Sequence, residues 1–530
     1  MKLNKSLLLL SVLIASCSGT EDVTDILTEE TEHHAIVNVS PYIYDGEVTR
    51  TNLTYTNNSI KFSWDNDETI GVFPIIPYSG PQAYKRLERS SKGDGHVATF
   101  DGAGWQIRSG ATYAAYYPYN GKLTSDTKYD EIPVDMTGQV QVGYNNLDHI
   151  GKNYDYMCTI ATAPDKGDIV FNFKHVTSVV QLEVTLPEDA VITNVIIFDK
   201  QHETVFVDKA KMNICNRSIV SVHKSSMIEL GVKNGTKVEA GEKVLLYVAM
   251  LPRDSRPVDI TVETKDGKCY ETSYTPKDMK AGYAYRWTIA PEYAGEHVAI
   301  DLGLPSGTKW ATMNVGAKSL DGKGSRYFAW GETLPWSPDK ENNYKYGSVR
   351  FRLSDIIKMN FTKYTYDDGD YASSWYSGNK FIGDGLTTLL PEDDAATQNW
   401  GSKWRMPTIE ELKELYEECE WQLVVTDPYT RLYSTYLKVI GKNGNYIIMP
   451  FTGFYTVIRP DVNYFLDGFF SYQSSTLNKK DSNRNFVLSG FTLADDEEEW
   501  DKPGEHFEEE LMIDDSNCRF DGNAIRPVCK

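Results

Sequence analysis

Residues 168–186 read DIVFNFKHVTSVVQLEVTL. Apolar side chains fall on every second position in two runs, Ile169 to Phe173 and Val180 to Val184, broken at His175 to Ser178. That period of two is the mark of half-buried β-strands. The same pattern recurs on both sides, in SIKFSW, TIGVFPII, ATYAAYYPY, AVITNVIIF, KVLLYVAML and VDITVET. Turn residues (Gly, Asn, Asp, Pro) separate the runs at short intervals, as in β-sandwiches. The stretch from 35 to 292 is long for one sandwich, so it predicts two in tandem, 35–165 and 166–292, with the join just before Asp168. His175, lying in a strand beside Phe171 and Phe173, is expected to be a hydrogen-bonded structural residue. Trp64 is expected to plug a core.

The whole chain has 530 residues, too many for one hydrophobic core. Aromatic residues make up 12%, with 34 Tyr and 11 Trp, which suits pleated surfaces and contact faces. A net charge of −21 without a Lys/Arg run excludes nucleic acid as a partner and disfavours anionic membrane surfaces.

At the start, MKLNK is a basic segment and SLLLLSVLIAS a short apolar one, too short to span a bilayer and typical of a signal peptide. Ile14-Ala15-Ser16-Cys17 resembles a bacterial lipobox. The resemblance implies cleavage after residue 16 and acylation of Cys17 (palmitate-type chains) at the outer membrane. Residues 17–34 then form an acidic tether whose Glu21-Asp22 resembles the surface-export signal of Bacteroides-type lipoproteins.

KFSWDNDETIGVFPI (61–75), SGATYAAYYPYNG (109–121) and FNFKHVTSVVQLEVTLPE (171–188) resemble the fimbrillin-like proteins of Bacteroides-type bacteria. The likeness covers about 35–290 and implies two transthyretin-like sandwiches. It also implies fimbrial partners joined by donor-strand pairing, with processing at Arg50 in the matching loop. Inserting a strand at an open sheet edge is physically reasonable.

From 293 the character changes. IDLGLPSG (300–307), WATMNVGA (310–317), FAWGET (328–333), PEDDAA (391–396), WRMPT (404–408) and the ending IRPVC (525–529) together resemble the Fibrobacter succinogenes major paralogous domain. That family is related in fold to C-type-lectin-like and formylglycine-generating-enzyme-like domains. The overall expectation is a mainly β chain with an α+β C-terminal domain, 293–530, of C-type-lectin-like fold.

Within it, NWGSKWRMPTIEELKELYEECEW (399–421) announces an amphipathic helix. Thr408 and Glu411 form a capping box, and Ile409, Leu412, Leu415 and Tyr416 make one apolar face. Glu410, Glu411, Lys413, Glu414 and Glu417 are expected to face water, and Trp400, Trp404 and Trp421 to pin the helix to a sheet. The helix therefore reads as scaffold, with Trp404 as a sugar platform the functional alternative.

Six cysteines remain beyond Cys17, none in a Cys-x-x-Cys pair, which argues against zinc-ribbon or thioredoxin chemistry. A clasp between Cys419 and Cys529 is plausible in an exported compartment. The related formylglycine-forming enzymes use paired reactive thiols. Here Cys518 follows Glu508 to Glu510 and Asp514-Asp515, acidic surroundings that oppose a thiolate.

No H-E-x-x-H, G-x-S-x-G or Walker sequence is present, and GAKSLDGKG (316–324) has the wrong spacing for a phosphate loop. Asp393-Asp394 reads as a loop bonded to backbone N–H groups rather than a calcium site, and ADDEEEWDKPGEHFEEE (494–510) as a solvated insertion. No cofactor or metal is expected. A ligand face is expected in 453–475, at Tyr455, Arg459, Tyr464, Phe465 and Tyr472, because aromatics and Arg dominate contact hot spots. The sequence thus predicts a non-enzymatic, lipid-anchored surface protein for adhesion or ligand recognition, as a fimbrial tip or accessory subunit, with a glycan or a protein as ligand. The alternatives are an envelope enzyme acting on glycans or sulfatases, and a monomeric nutrient receptor.

Overall fold

The computed structural model describes residues 34–44, 59–60, 64, 68–75, 85–89, 96–102, 105, 107–123, 127–336, 347–352, 355–367, 375–425, 435–456, 459–463, 469–479, 484–491 and 511–530. Strands dominate. The first seven-stranded unit closes on itself in the order Ala35–Val39, Ile169–His175, Met157–Thr162, Thr112–Tyr117, Thr69–Ile75, Lys85–Arg89, Val97–Asp101. Ala35–Val39 completes the ring, lying parallel to Ile169–His175 and antiparallel to Val97–Asp101. Its Ala35, Val37 and Val39 point into the core, as the alternation demands. Trp64 fills that core, edge-on to Phe100 and Tyr117 at 5.0 and 5.2 Å. Gly71 lies opposite Tyr116 in the register, where a Cβ would sit 2.1 Å from the Tyr116 ring.

The second unit is a sandwich of two sheets. One has the order Lys243–Met250, Ser178–Thr185, Tyr283–Ile289, Tyr42–Tyr44, Ser59–Ile60. The other runs Glu292–Glu296, Lys268–Tyr274, Val258–Thr264, Ile192–Asp199, Met227–Lys233, Gln139–Val142. Val180, Leu182, Val184 and Trp287 from the first meet Val195, Ile197, Ile260 and Val262 from the second in one buried cluster.

The two units interleave. Ile169–His175 belongs to the first ring and Ser178–Thr185 to the second unit, so a boundary at 165/166 would separate a strand from the sheet it pairs with. Conversely, Tyr42–Tyr44 and Gln139–Val142 join sheets of the second unit. The outer edge of Lys243–Met250 is covered in a specific way. Gln139 and Gln141 accept from Ala249 N and Tyr247 N at 2.8 Å each, and their amides donate to the Ala249 and Leu245 carbonyls. The side-chain amides stand in for a neighbouring strand and remove an open edge.

His175, as expected, is a buried structural residue. Its Nδ1 meets Asp155 Oδ1 at 2.7 Å and its Nε2 meets the Ser40 carbonyl at 2.6 Å. Tyr42 stacks on the imidazole at 3.8 Å and donates to Asp155.

The C-terminal part combines a small sheet (Ala299–Asp301, Lys309–Ala311, Val528–Cys529), a larger sheet centred on Gly522–Ala524 and Phe469–Leu477, and a third of Glu420–Val425, Thr435–Ile440 and Tyr446–Pro450. Two helices, α1 (Ala395–Trp400) and α2 (Ile409–Glu418), pack against them. No helix among the described residues is long and apolar enough to cross a membrane.

Candidate functional site

Helix α2 forms where its cap and apolar spacing place it. Thr408 Oγ1 accepts from Glu411 N at 3.3 Å, and Glu411 Oε2 accepts from Thr408 N at 3.0 Å. Ile409, Leu412 and Leu415 are buried, with Tyr416 packed beside them. Glu411 departs from expectation: it is buried rather than facing water. Arg405 grips it through two bonds of 2.6 and 2.5 Å, and the Thr308 hydroxyl donates to it at 2.8 Å. Burial works to raise this carboxyl, but the Arg405 and Thr408 bonds outweigh it and hold the group below the ordinary range.

The flanking motifs are folding devices too. Asp394 caps α1, accepting from Thr397 N at 2.9 Å and from Met406 N. Asp394 is thus bonded to backbone N–H groups as expected, whereas the Asp393 carboxylate is held by side chains instead. Asp393 accepts from Lys363 Nζ at 2.6 Å and the Tyr364 hydroxyl at 2.5 Å. From the IRPVC ending, Arg526 donates to Asn314 Oδ1 at 2.8 Å and to the Ala311 and Thr312 carbonyls at 3.0 Å each. The terminal motif is thereby tied to WATMNVGA.

The expected ligand face does not assemble as one surface in the described residues. Tyr472 is fully buried in the middle of its strand, donating to the Pro450 carbonyl at 2.7 Å. Successive residues of its strand, which point to opposite faces, are buried alike, so both faces are covered. Tyr455 is half-buried, stacked on Trp336 at 4.6 Å and edge-on to Tyr327 at 5.1 Å. Arg459 opens the strand Arg459–Asn463. Tyr464, Phe465, Cys17 and Arg50 lie outside the described residues. Trp404, buried, offers no exposed platform for a sugar.

Cys419 and Cys529 are free thiols rather than a clasp. Cys419 ends α2 against the Leu302–Leu412 cluster, whereas Cys529 packs with Trp400 and Trp404 in another. Burial pushes the Cys419 thiol up to about 11 and Cys518 to about 12, adding to the repulsion from nearby acids. Such thiols are poor nucleophiles at neutral pH.

The sandwich and the C-terminal part meet at a junction that sequence reasoning missed. His297 follows Glu292–Glu296, the last strand of the second sandwich, and its N–H donates to the Gly267 carbonyl at 2.8 Å. Its Nδ1 meets Glu263 Oε1 at 2.8 Å, and its ring stacks on Trp400 at 3.8 Å. Ser402 donates twice to the Glu229 carboxylate at 2.6 Å, and Ser226 bonds Gln398. Gly401, at φ +91°, has Ile196 so close that a Cβ would fall 2.5 Å from its Cδ1. Thus α1 sits on the outer face of the six-stranded sheet. Two clefts open along this seam. One, of about 430 Å³, is lined by Glu263, His297, Lys309, Lys403 and Cys529 among others. A larger one, of about 1030 Å³, lies between Asp208, His223 and Glu229 on the sandwich side and Lys363, Glu392 and Asp393 on the other.

Residues 49–300 match a sequence-family model described as fimbrillin-like. No curated protein matches the chain. Among solved structures, a protein assigned to cell adhesion from Bacteroides ovatus is 15% identical at a TM-score of 0.34, over 49% of this chain and 93% of that one. The tip fimbrial protein Mfa3 from Porphyromonas gingivalis, with C-terminal truncation, is 12% identical at 0.26, over 49% of this chain and 98% of that one. A fimbrial protein from Bacteroides ovatus is 11% identical at 0.25, over 94% and 99%.

Proposed function

We propose that this chain is a fimbrial or adhesion-type surface protein, lipid-anchored through Cys17 in the outer membrane, whose residues 293–530 form a lectin-like recognition head. The observation that carries the reading is the fimbrillin-like match over residues 49–300. The closed ring supports it: Ala35–Val39 fills a slot between two strands, and cleavage at Arg50 would release the chain from its Cys17 anchor as it frees that slot for a partner's strand. The seam supports the head role, since α1 is seated on the sandwich through Ser402, Gln398 and Trp400. A head held in this way transmits a pull on its ligand to the stalk. A distinct terminal module suits a tip better than a shaft, where each copy must leave its surfaces free for the next.

The test is to display the full chain on glycan and matrix-protein arrays, with and without chelator, beside immunogold labelling of purified fibres. A specific ligand surviving the chelator, with label at fibre ends, is the expected result. Label repeating along the fibres would end the tip reading. Silence on the arrays together with turnover of a glycan or sulfatase substrate would replace the adhesin with an enzyme.

A further inference from the structure

We propose that Glu263, Cys269 and His297 form a zinc-type metal site at the seam between the second sandwich and the C-terminal part. Among the described residues, this is the group whose carboxylate, thiol and imidazole ligand atoms all lie within 4.8 Å of one another. The mixture suits the ion. Zinc takes sulfur, imidazole nitrogen and carboxylate oxygen in one tetrahedral shell at about 2.0–2.3 Å, so its ligand atoms stand roughly 3–4 Å apart. Small rotations of three side chains close the remaining gap.

The backbone already fixes the donors. Glu263 and Cys269 are direct partners across the Val258–Thr264 and Lys268–Tyr274 hairpin, so both side chains leave the sheet on the same face. The bond from His297 N to the Gly267 carbonyl sets the imidazole beside that hairpin, and the Trp400 stack fixes its plane. Asn194 donates to Glu263 Oε2 at 3.1 Å, an outer partner of the kind that orients metal-binding carboxylates. Cys269 is 1% exposed, and its thiol has a long contact of 3.6 Å to the Gly267 carbonyl.

The cleft of about 430 Å³ reaches Glu263 and His297, giving an ion a way in and a water access to the fourth position. Lys265, Lys309, Lys403 and Lys530 line the same cleft, so a shell of neutral ligands would not hold a dication there. Glutamate and thiolate supply two negative charges against them. On binding, the Cys269 Sγ–H proton leaves to solvent as the Sγ–metal bond forms. The proton on His297 Nδ1 moves through solvent to Nε2, leaving a neutral imidazole whose Nδ1 turns from the Glu263 oxygen to the ion, as that oxygen does too. The ion would then tie the hairpin to the residue on which Trp400 rests.

The experiment titrates the full chain, purified without chelator, with Co²⁺ as a spectroscopic stand-in and Zn²⁺ as competitor. The expected result is one Co²⁺ per chain, a thiolate-to-cobalt charge-transfer band, and displacement by Zn²⁺. Cys269→Ser should abolish the band, and His297→Gln should weaken Co²⁺ binding at least tenfold while the chain keeps its native circular dichroism. Absence of stoichiometric Co²⁺ binding by the wild-type chain, or a band that persists in Cys269→Ser, overturns the site. If Cys269→Ser does not fold, undiminished binding in His297→Gln overturns it independently.

Discussion

Asp394 is a carboxylate without solvent around it, and burial raises its pKa to about 6 despite the N–H groups of Thr397 and Met406. Its folded pKa therefore lies above the unfolded value of about 3.9, so the folded state binds the proton more tightly. The group contributes nothing unfavourable below about pH 4, and stability is lost as pH rises from there through about 6. Asp394→Asn keeps an acceptor for both N–H groups and removes the charge. Urea midpoints should show the variant level with wild type near pH 4 and more stable at pH 7, by up to roughly 3 kcal/mol. A gap that does not change with pH would contradict this reading. Tyr472 shows why part of the site was not legible. Its neighbours Ser471, Gln473, Ser474 and Ser475 are polar, which reads as a turn-rich surface, yet all are buried inside a sheet. Tyr472→Phe should lower stability by about 1–2 kcal/mol, because the Pro450 carbonyl loses its donor, and leave ligand binding unchanged. Paired denaturation and binding measurements check both halves.

At the scale of elements, local signals were read well and long-range pairings were not. The capping box of α2 is spelled out within four residues, and Thr408→Ala should cost about 1 kcal/mol in thermal or urea unfolding. The alternation around Ile169 correctly marked two strands. It could not say that Ile169–His175 pairs with Ala35–Val39, since the partner lies 134 positions away in the register. Nor does any local pattern disclose that Gln139 and Gln141 bond the backbone of Lys243–Met250. The burial of Glu411 belongs to the same class, because Arg405 and Thr308 approach it from outside the helix. The junction residues lacked a signal for a related reason. Glu263 and Cys269 become neighbours only through the hairpin turn at Asp266-Gly267, and His297 only through the strand before it.

For the whole molecule, the seam decides whether sandwich and C-terminal part behave as one body. Gly401 is its most sensitive point, since a side chain there meets both an unfavourable φ of +91° and the Ile196 and Glu229 side chains. Gly401→Ala should lift α1 from the sheet and make limited proteolysis near residue 297 faster, with both halves still folded. Unchanged cleavage would mean that the seam absorbs the methyl.

The last nine residues have an influence out of proportion to their number. Gly522–Ala524 pairs with strands from Tyr327, Phe454 and Phe469, Val528 bridges Arg405, and Arg526 grips Asn314. Ending the chain at Asp521 should therefore leave the ring and the sandwich folded and the C-terminal part without its native near-ultraviolet dichroism. There is also a matter of timing. In a chain that emerges N-terminus first, the strands of the ring and the sandwich are complete before residues 522–524 arrive, so the C-terminal part closes its larger sheet later than they do. Throughout that interval the unfinished C-terminal part exposes its sheet edges, and a chaperone working on this protein would find its task there.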